Sequence, residues 1–230
     1  MFRVLAVLIV SLGVAEAHDI ITTKITWSKE ISRLFYKRCA SCHREGGSTF
    51  SLMTYEEARP WAKAIKEETL ERRMPPWNAV KGFGEFKDDR GLTQEEIELI
   101  SNWVEGGAPE GNPKHLPPVP PASHWQDPAI PAGTSEVVVT AETKLDSAAR
   151  VVAVRAKNLK PGVSAQIVAV RPDGTVEPLL WIYKYDPKFK RTYYYRAPLS
   201  LPAGTRVEMS PPGAGTVALF MKNPVSAGLH

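Results

Sequence analysis

A proline-rich stretch separates two parts of the chain that differ in hydrophobic pattern. Five of the nine residues from 113 to 121 are proline, which cannot continue a helix or donate a backbone hydrogen bond. This composition is typical of a stiff, extended linker. Apolar residues recur at helical spacing before it, whereas short β-branched and aromatic runs follow it. We therefore predict a linker over residues 113–130 between a helical unit, 18–112, and a β unit, 131–230.

Residues 1–17 have the pattern of an export signal. Arg3 supplies a positive start, an apolar run follows, and Ala15-Glu16-Ala17 is a small-x-small cleavage site. The apolar run of roughly ten residues is too short to span a bilayer, which takes about 20. No later stretch approaches that length. The sequence therefore predicts a signal peptide and a soluble periplasmic protein without a transmembrane segment.

Helix-start signals predict three helices in the first unit. Ser28 is a candidate N-cap of the first helix. The second begins at Thr54 and the third at Thr93, and in each case a glutamate three residues later, Glu57 or Glu96, completes a capping box. These helices predict an all-α unit.

Seven short runs in the second unit predict an antiparallel β-sandwich. Turn signals such as Pro-Asp-Gly and Pro-Ala-Gly separate them. The fold class predicted for the whole chain is therefore α + β and multidomain. The predicted strands are Glu136 to Thr140, Arg150 to Ala156, Ala165 to Val170, Glu177 to Tyr185, Thr192 to Arg196, Arg206 to Met209 and Val217 to Met221.

Charge is distributed unevenly between the units. Residues 18–125 contain 15 basic and 16 acidic side chains, whereas residues 126–230 contain 13 basic and 8 acidic ones. An exported protein rarely meets nucleic acid, so an acidic partner protein, an anionic lipid or wall polymer, or simply a solvated basic surface accounts better for this excess.

The two cysteines of the chain lie in the sequence C-A-S-C-H, from Cys39 to His43. In this pattern two thiols add to the vinyl groups of haem, and the adjacent histidine coordinates iron. A thioredoxin-like redox pair would follow a strand, and a zinc site would need two further ligands nearby. The motif therefore predicts one covalent haem c bound through Cys39, Cys42 and His43.

The sixth ligand of the iron is predicted to be Met74, where a helix ends against two prolines that fix its backbone. Its thioether would favour ferrous iron and seal the site. A methionine packed in a core is the ordinary alternative, and Met53, His115 or an open site are the other candidates. Three more residues are candidates for cofactor contacts: Trp61 and Trp77 as pocket walls, and Arg73, with its neighbour, as a partner of the haem carboxylates.

Four motifs give the first unit a resemblance to the monohaem c-type cytochrome domain of bacterial multidomain redox proteins. The resemblance implies a Met74 axial ligand and packing between Phe35 and Trp103. Such domains commonly have proline where this chain has Glu45, so the sequence does not predict which carbonyl orients His43. The motifs are Cys39 to Gly46, Glu56 to Ile65, Arg73 to Trp77 and Glu95 to Gly111.

Part of the second unit resembles the β-domain of copper type II, ascorbate-dependent monooxygenase-like proteins. Copper in such enzymes needs several histidines, yet the only histidine after residue 125 is His230. We therefore predict no copper enzyme. His18, which would begin the exported chain, is a further candidate metal ligand that lacks a second histidine.

Aromatic and basic residues alternate from Trp181 to Arg196. They predict either a docking surface for a partner or glycan, with Lys188, Lys190 and Arg191 as its cations, or a hairpin whose rings alternate between core and surface.

These features predict an exported one-electron carrier between redox partners rather than an enzyme. Two alternatives stay open at this point. In one, the β unit binds a partner or polysaccharide, and the haem accepts electrons from a neighbouring enzyme. In the other, an open haem iron reacts with peroxide or a small gas.

Overall fold

The structure, a computed structural model, describes residues 24–122 and 127–222. The predicted signal peptide and His18 lie outside these ranges. Helices come first in the chain and strands follow, and the strands dominate. In the described part of the chain, none of the helices is long and apolar enough to cross a membrane.

Three short helical segments form the first half. The first is a π-helical turn, Trp27–Ile31, that continues into α1, Ser32–Arg38. The second consists of α2, Tyr55–Ala58, a 3-10 turn, Arg59–Trp61, and α3, Ala62–Leu70. The third is α4, Gln94–Glu105. A further 3-10 turn, Pro113–His115, begins the predicted linker, whose limits stay a prediction.

Two of the predicted helix starts are confirmed. Thr54 and Thr93 each accept a hydrogen bond from the backbone N–H three residues later, and Glu57 and Glu96 each accept one from the cap's own N–H. The prediction for Ser28 is wrong, because Thr26 precedes the first segment and Ser28 lies within its π-helical turn.

Eight strands form two four-stranded antiparallel sheets. One sheet has the order β1-β8-β3-β6 and the other β2-β7-β4-β5. Each of the seven predicted runs coincides with a strand, and Glu142–Lys144 is an additional one. The strands are β1, Ser135–Val139; β2, Glu142–Lys144; β3, Ala149–Ala156; β4, Ala165–Val170; β5, Val176–Ile182; β6, Thr192–Leu201; β7, Arg206–Ser210; and β8, Val217–Lys222.

The predicted fold, a separate all-α haem domain followed by a β-sandwich, is wrong. Residues 77–87, which connect α3 to α4 and were assigned to the helical unit, pack into the β core. Trp77, Ala79 and Phe86 are buried in the same apolar cluster as the inner faces of both sheets. The helices keep an apolar cluster of their own, in which the rings of Phe35 and Trp103 lie 6.3 Å apart. The chain is therefore a small α+β protein whose halves share one connecting segment.

Backbone hydrogen bonds hold this 77–87 segment against β5 and β6. The N–H of Val80 donates to the carbonyl of Trp181 at 2.8 Å, and the N–H of Lys87 donates to that of Tyr194 at 2.7 Å. Single β-bridges join Ala79 to Ile182 and Phe86 to Tyr195. Sequence periodicity missed this segment because it reports the spacing of apolar residues and not which core they enter.

Replacing Phe86 with alanine tests this packing. The Phe86 side chain is 3% exposed, and its ring lies 5.3 Å from that of Tyr193 and 5.2 Å from that of Tyr195. We expect Phe86→Ala to lower the free energy of unfolding by about 3–5 kcal/mol, as for other buried phenylalanines. Urea unfolding followed by near-ultraviolet circular dichroism measures the loss. Phe83→Ala, at a half-buried ring of the same segment, is the control, and equal small losses in both variants would contradict the packing.

Candidate functional site

The two cysteines and the histidine of the motif lie on one turn at the end of α1. Cys39 is the C-cap of that helix. The N–H groups of Cys42 and His43 both donate to the carbonyl of Cys39, at 3.1 and 2.9 Å. The cysteines are not joined in a disulfide. This turn places the three residues on one stretch of backbone, and the haem attachment predicted for them stays a prediction.

The loop after the motif closes back on it. The N–H of Gly47 donates to the carbonyl of Arg44 at 2.9 Å, and that of Leu52 donates to the carbonyl of His43 at 3.2 Å. The Arg44 guanidinium in turn donates to the carbonyl of Pro121 at 3.0 Å. The end of the proline-rich stretch is thus tied next to the motif.

The His43 imidazole is oriented by a backbone carbonyl. Its Nδ1 lies 3.1 Å from the oxygen of Phe50. A carbonyl only accepts hydrogen bonds, so Nδ1 carries the proton and Nε2 keeps its lone pair. Burial lowers the pKa of His43, opposed by the bond to Phe50. A half-buried, neutral imidazole with an available Nε2 is the form that binds a metal.

Two exposed aromatic rings lie beside this imidazole. The Phe50 ring lies 4.9 Å from that of His43 and 4.7 Å from that of Trp61, at an angle of 30° to the latter. Phe50 is 47% exposed and Trp61 is 48% exposed. Neighbouring exposed apolar rings indicate a surface that a ligand or partner covers. Trp61 thus lies near the motif through Phe50, which the sequence reasoning missed, and its role as a pocket wall stays a prediction.

Burial also affects the Cys39 thiol. Burial, and secondarily the charge of Cys42, raise the pKa of Cys39 to about 12. Nucleophilic cysteines of redox pairs have lowered pKa values, because the thiolate is the reactive form. The shift is opposite in direction to that of a nucleophilic redox cysteine, and the motif follows a helix instead of a strand.

Two arginines that the sequence did not single out for this site approach the motif. The Nη1 of Arg90 donates to the hydroxyl of Ser41 at 2.7 Å, and the Nε of Arg191 donates to the carbonyl of Pro76 at 3.2 Å. Both lie within electrostatic range of Cys42. Arg90 had no sequence signal, because it follows three charged residues and resembles a solvated loop.

The structure places Met74 and Trp77 at one cavity. They line a cavity together with Thr69, Leu92 and Ile97, and the lining does not include His43. Trp77 is buried in the β core, with its ring 4.9 Å from that of Tyr193. The roles predicted for both residues stay predictions.

The other candidates have partners of their own. Arg73 pairs with Glu68 at 2.9 Å and with Glu67 at 3.4 Å, so its charge is held at the end of α3. The carbonyl of Met53 accepts a hydrogen bond from the Tyr36 hydroxyl at 3.1 Å. His115 is exposed on its 3-10 turn.

The aromatic and basic run places its rings and charges differently. Tyr193 and Tyr195 of β6 are buried, while Lys188 and Lys190 are exposed. Arg191 is half-buried. The hairpin interpretation is wrong, because β5 and β6 lie in different sheets and do not pair. Of the three cations named for the docking interpretation, Lys188 and Lys190 are exposed, and that interpretation stays a prediction.

Comparisons with family models, with curated proteins and with solved structures find no significant match. Within residues 24–122 and 127–222, no group of three or more His, Cys, Asp or Glu side chains could hold a metal ion. The resemblances to the c-type cytochrome domain and to the copper type II β-domain are therefore corrected. The three short helical segments share a segment with two antiparallel sheets and do not form a separate cytochrome domain.

The close approach of Gly47 to the motif gives a test of the turn. A Cβ at Gly47 would lie 2.3 Å from the carbonyl oxygen of Cys42, whereas one at Gly46 would meet nothing within 4 Å. We expect Gly47→Ala to lower the free energy of unfolding by about 3 kcal/mol. Gly46→Ala should cost roughly 1–2 kcal/mol, because its φ of 70° is left-handed. Urea unfolding compares the two, and equal losses would contradict the described turn.

Proposed function

We propose that this chain carries one haem, bound covalently through Cys39 and Cys42 and ligated by His43, and that it passes single electrons between redox partners. The observation that carries the proposal is the hydrogen bond between His43 Nδ1 and the Phe50 carbonyl. It leaves Nε2 as the only ring nitrogen that can bind iron. The loop that closes on the motif thus supplies the carbonyl that orients His43, which the sequence did not predict.

The residues of the turn fit such a group. Cys39 and Cys42 would hold the group by adding across its vinyl C=C bonds, with sulfur on one carbon and the thiol hydrogen on the other, so that no oxidant would be consumed. Cys39 enters this addition as a neutral thiol, consistent with its raised pKa. When bound, haem supplies an iron that gains and loses one electron. Phe50 and Trp61 provide apolar surface beside the imidazole, which a flat macrocycle would cover.

Met74 is the proposed second axial ligand. It lies four residues after the end of α3, and its N–H donates to the carbonyl of Glu68 at 3.1 Å, which fixes the backbone where the side chain leaves it. The side chain lines a cavity with Leu92, whose position in the chain is two residues after Arg90. Arg90 contacts Ser41 of the motif, so this cavity adjoins the segment that reaches the cysteines.

The proposal also includes export to the periplasm and an acidic redox partner. The composition of residues 1–17 supports export, and covalent haem suits a carrier that leaves the compartment where the cofactor is made. The basic excess after residue 125 supports an acidic protein partner and not nucleic acid. Lys188 and Lys190 are exposed cations that could face it.

Removing the cysteines tests the attachment. The full-length chain, expressed with its own residues 1–17 in a host that matures c-type haem, should keep haem through denaturing electrophoresis, as seen by peroxidase staining and by intact mass. Cys39→Ala with Cys42→Ala should lose that signal completely, because no thioether can form. Ser41→Ala, between the two cysteines, is the matched control and should keep it. An unstained wild-type chain of normal yield would refute the proposed function.

Replacing Met74 tests the second ligand. The reduced wild-type protein should bind carbon monoxide slowly, since a bound thioether seals the iron. We expect Met74→Ala to bind it at least about tenfold faster, as read from the shift of the Soret band in rapid mixing. Met53→Ala is the control and should behave as the wild type. Fast binding by the wild type, or by Met53→Ala alone, would exclude Met74 as the ligand.

A further inference from the structure

The proline-rich stretch has a regular extended conformation. Four of the six residues from 116 to 121 are proline. The proline ring fixes its own φ at about −65° and keeps the residue before it out of the α region. Leu116, the first of the six, has φ −59° and ψ 133°. Such angles are typical of a polyproline II helix, which has about three residues per turn. Residues 116–121 are called the proline ridge below.

Burial along the proline ridge repeats every three residues. Pro117 and Pro120 are half-buried, and the exposed residues are Leu116, Pro118, Val119 and Pro121. A polyproline II helix that lies against the protein along one of its three edges gives this pattern. Val119 is 64% exposed, the highest value among the exposed large apolar side chains of the described residues. The other two edges of the proline ridge therefore face outward.

Two arginines of the helical half hold the proline ridge at its ends. The Nη2 of Arg33 donates to the carbonyl of His115, just before the ridge, at 3.1 Å. The Nη1 of Arg44 donates to the carbonyl of Pro121, its last residue, at 3.0 Å. A segment fixed at both ends loses little conformational freedom when a partner binds it. Because proline has no backbone N–H to pair with a strand, recognition of this segment has to use its rings, its aliphatic side chains and its carbonyls.

The exposed chemistry of the proline ridge specifies the kind of surface that fits it. Proline rings and aliphatic side chains on a preformed polyproline II helix fit a groove lined by aromatic side chains, which supply flat apolar contact area. Lys114 is exposed just before the ridge. The ridge acceptors of Arg33 and Arg44 are neutral carbonyls, so these two contacts neutralise neither guanidinium. Acidic residues at the rim of the groove would complement these cations.

We propose that the proline ridge is the docking surface for a second protein, one that has an aromatic-lined groove with an acidic rim. The inference goes beyond the proposed function, because it assigns a role to residues that take no part in holding the haem. Arg44, which contacts the last residue of the ridge, directly follows His43 in the chain. The docked protein would therefore lie beside the C-x-x-C-H turn.

Photocrosslinking in an extract of the cells that make this protein tests the docking. The full-length chain carries photoreactive p-benzoylphenylalanine in place of Val119, and irradiation should join it to one other protein. The same replacement at Val176, a 56% exposed valine of β5, is the matched control and should not give that adduct. A synthetic peptide of residues 112–122, added in excess before irradiation, should compete for the groove and reduce the adduct by at least about fivefold.

The fluorescence of the captured protein tests the chemistry of its groove. Residues 112–122 contain no Trp, Tyr or Phe, so a change in aromatic emission when this peptide is added to the purified captured protein reports that protein's own rings. Binding of the full-length chain is then measured by titration calorimetry. We expect Val119→Asp to weaken it by at least about fivefold, because the new carboxylate would lose water in an apolar groove. Val176→Asp is the control and should bind as the wild type.

Three results would each overturn the inference. They are the lack of a peptide-sensitive adduct at position 119, an adduct that joins two copies of this chain, and a captured protein whose emission the peptide leaves unchanged or whose affinity Val119→Asp leaves unchanged. The outcome for haem is separate. A chain without covalent haem would refute the proposed function and would leave the docking measurements as they are.

Discussion

The pairing of residues 77–87 with β5 and β6 determines how the two halves of this chain meet. Its four backbone hydrogen bonds, from Val80 and Lys87 and to Asn78 and Glu85, run to the strands or to residues next to them. The segment starts three residues after Met74 and ends three residues before Arg90. The β core therefore holds the segment that lies between Met74 and Arg90 in the chain. A change in that core would move both residues together. Gly84 allows the close contact, since a Cβ there would lie 2.6 Å from the carbonyl of Leu179.

Local signals predicted those parts of the structure that depend on neighbouring residues. The capping boxes at Thr54 and Thr93 were predictable because cap and partner lie three residues apart. The main strands were predictable from β-branched and aromatic runs, whereas β2, with the sequence Glu-Thr-Lys, has no such run. The same distinction between local and long-range contacts applies to the candidate site. Cys39, Cys42 and His43 are adjacent in sequence, but the approach of Arg191 to Pro76 joins residues 115 positions apart, which no local pattern encodes.

The loop that follows the motif supplies what the motif alone lacks. A C-x-x-C-H sequence specifies two thiols and an imidazole but not the tautomer of that imidazole. Here the return of the chain at Gly47 brings the Phe50 carbonyl to Nδ1 and the Phe50 ring to the imidazole edge. One residue therefore selects the tautomer and extends the apolar surface toward Trp61. Phe50 and Trp61 are both exposed, and under the proposed function a bound cofactor would cover them.

The connection between β5 and β6, which lie in different sheets, places positive charges at two depths. Lys188 and Lys190 face water, where salt screens their interactions within about 10 Å at 0.1 M ionic strength. Arg191 is half-buried, and its Nε donates to the carbonyl of Pro76 at 3.2 Å, so salt screens its charge less. Under the proposed function, Lys188 and Lys190 would affect how fast an acidic partner associates. Ionic strength would then change the association rate through these two exposed lysines more than through Arg191.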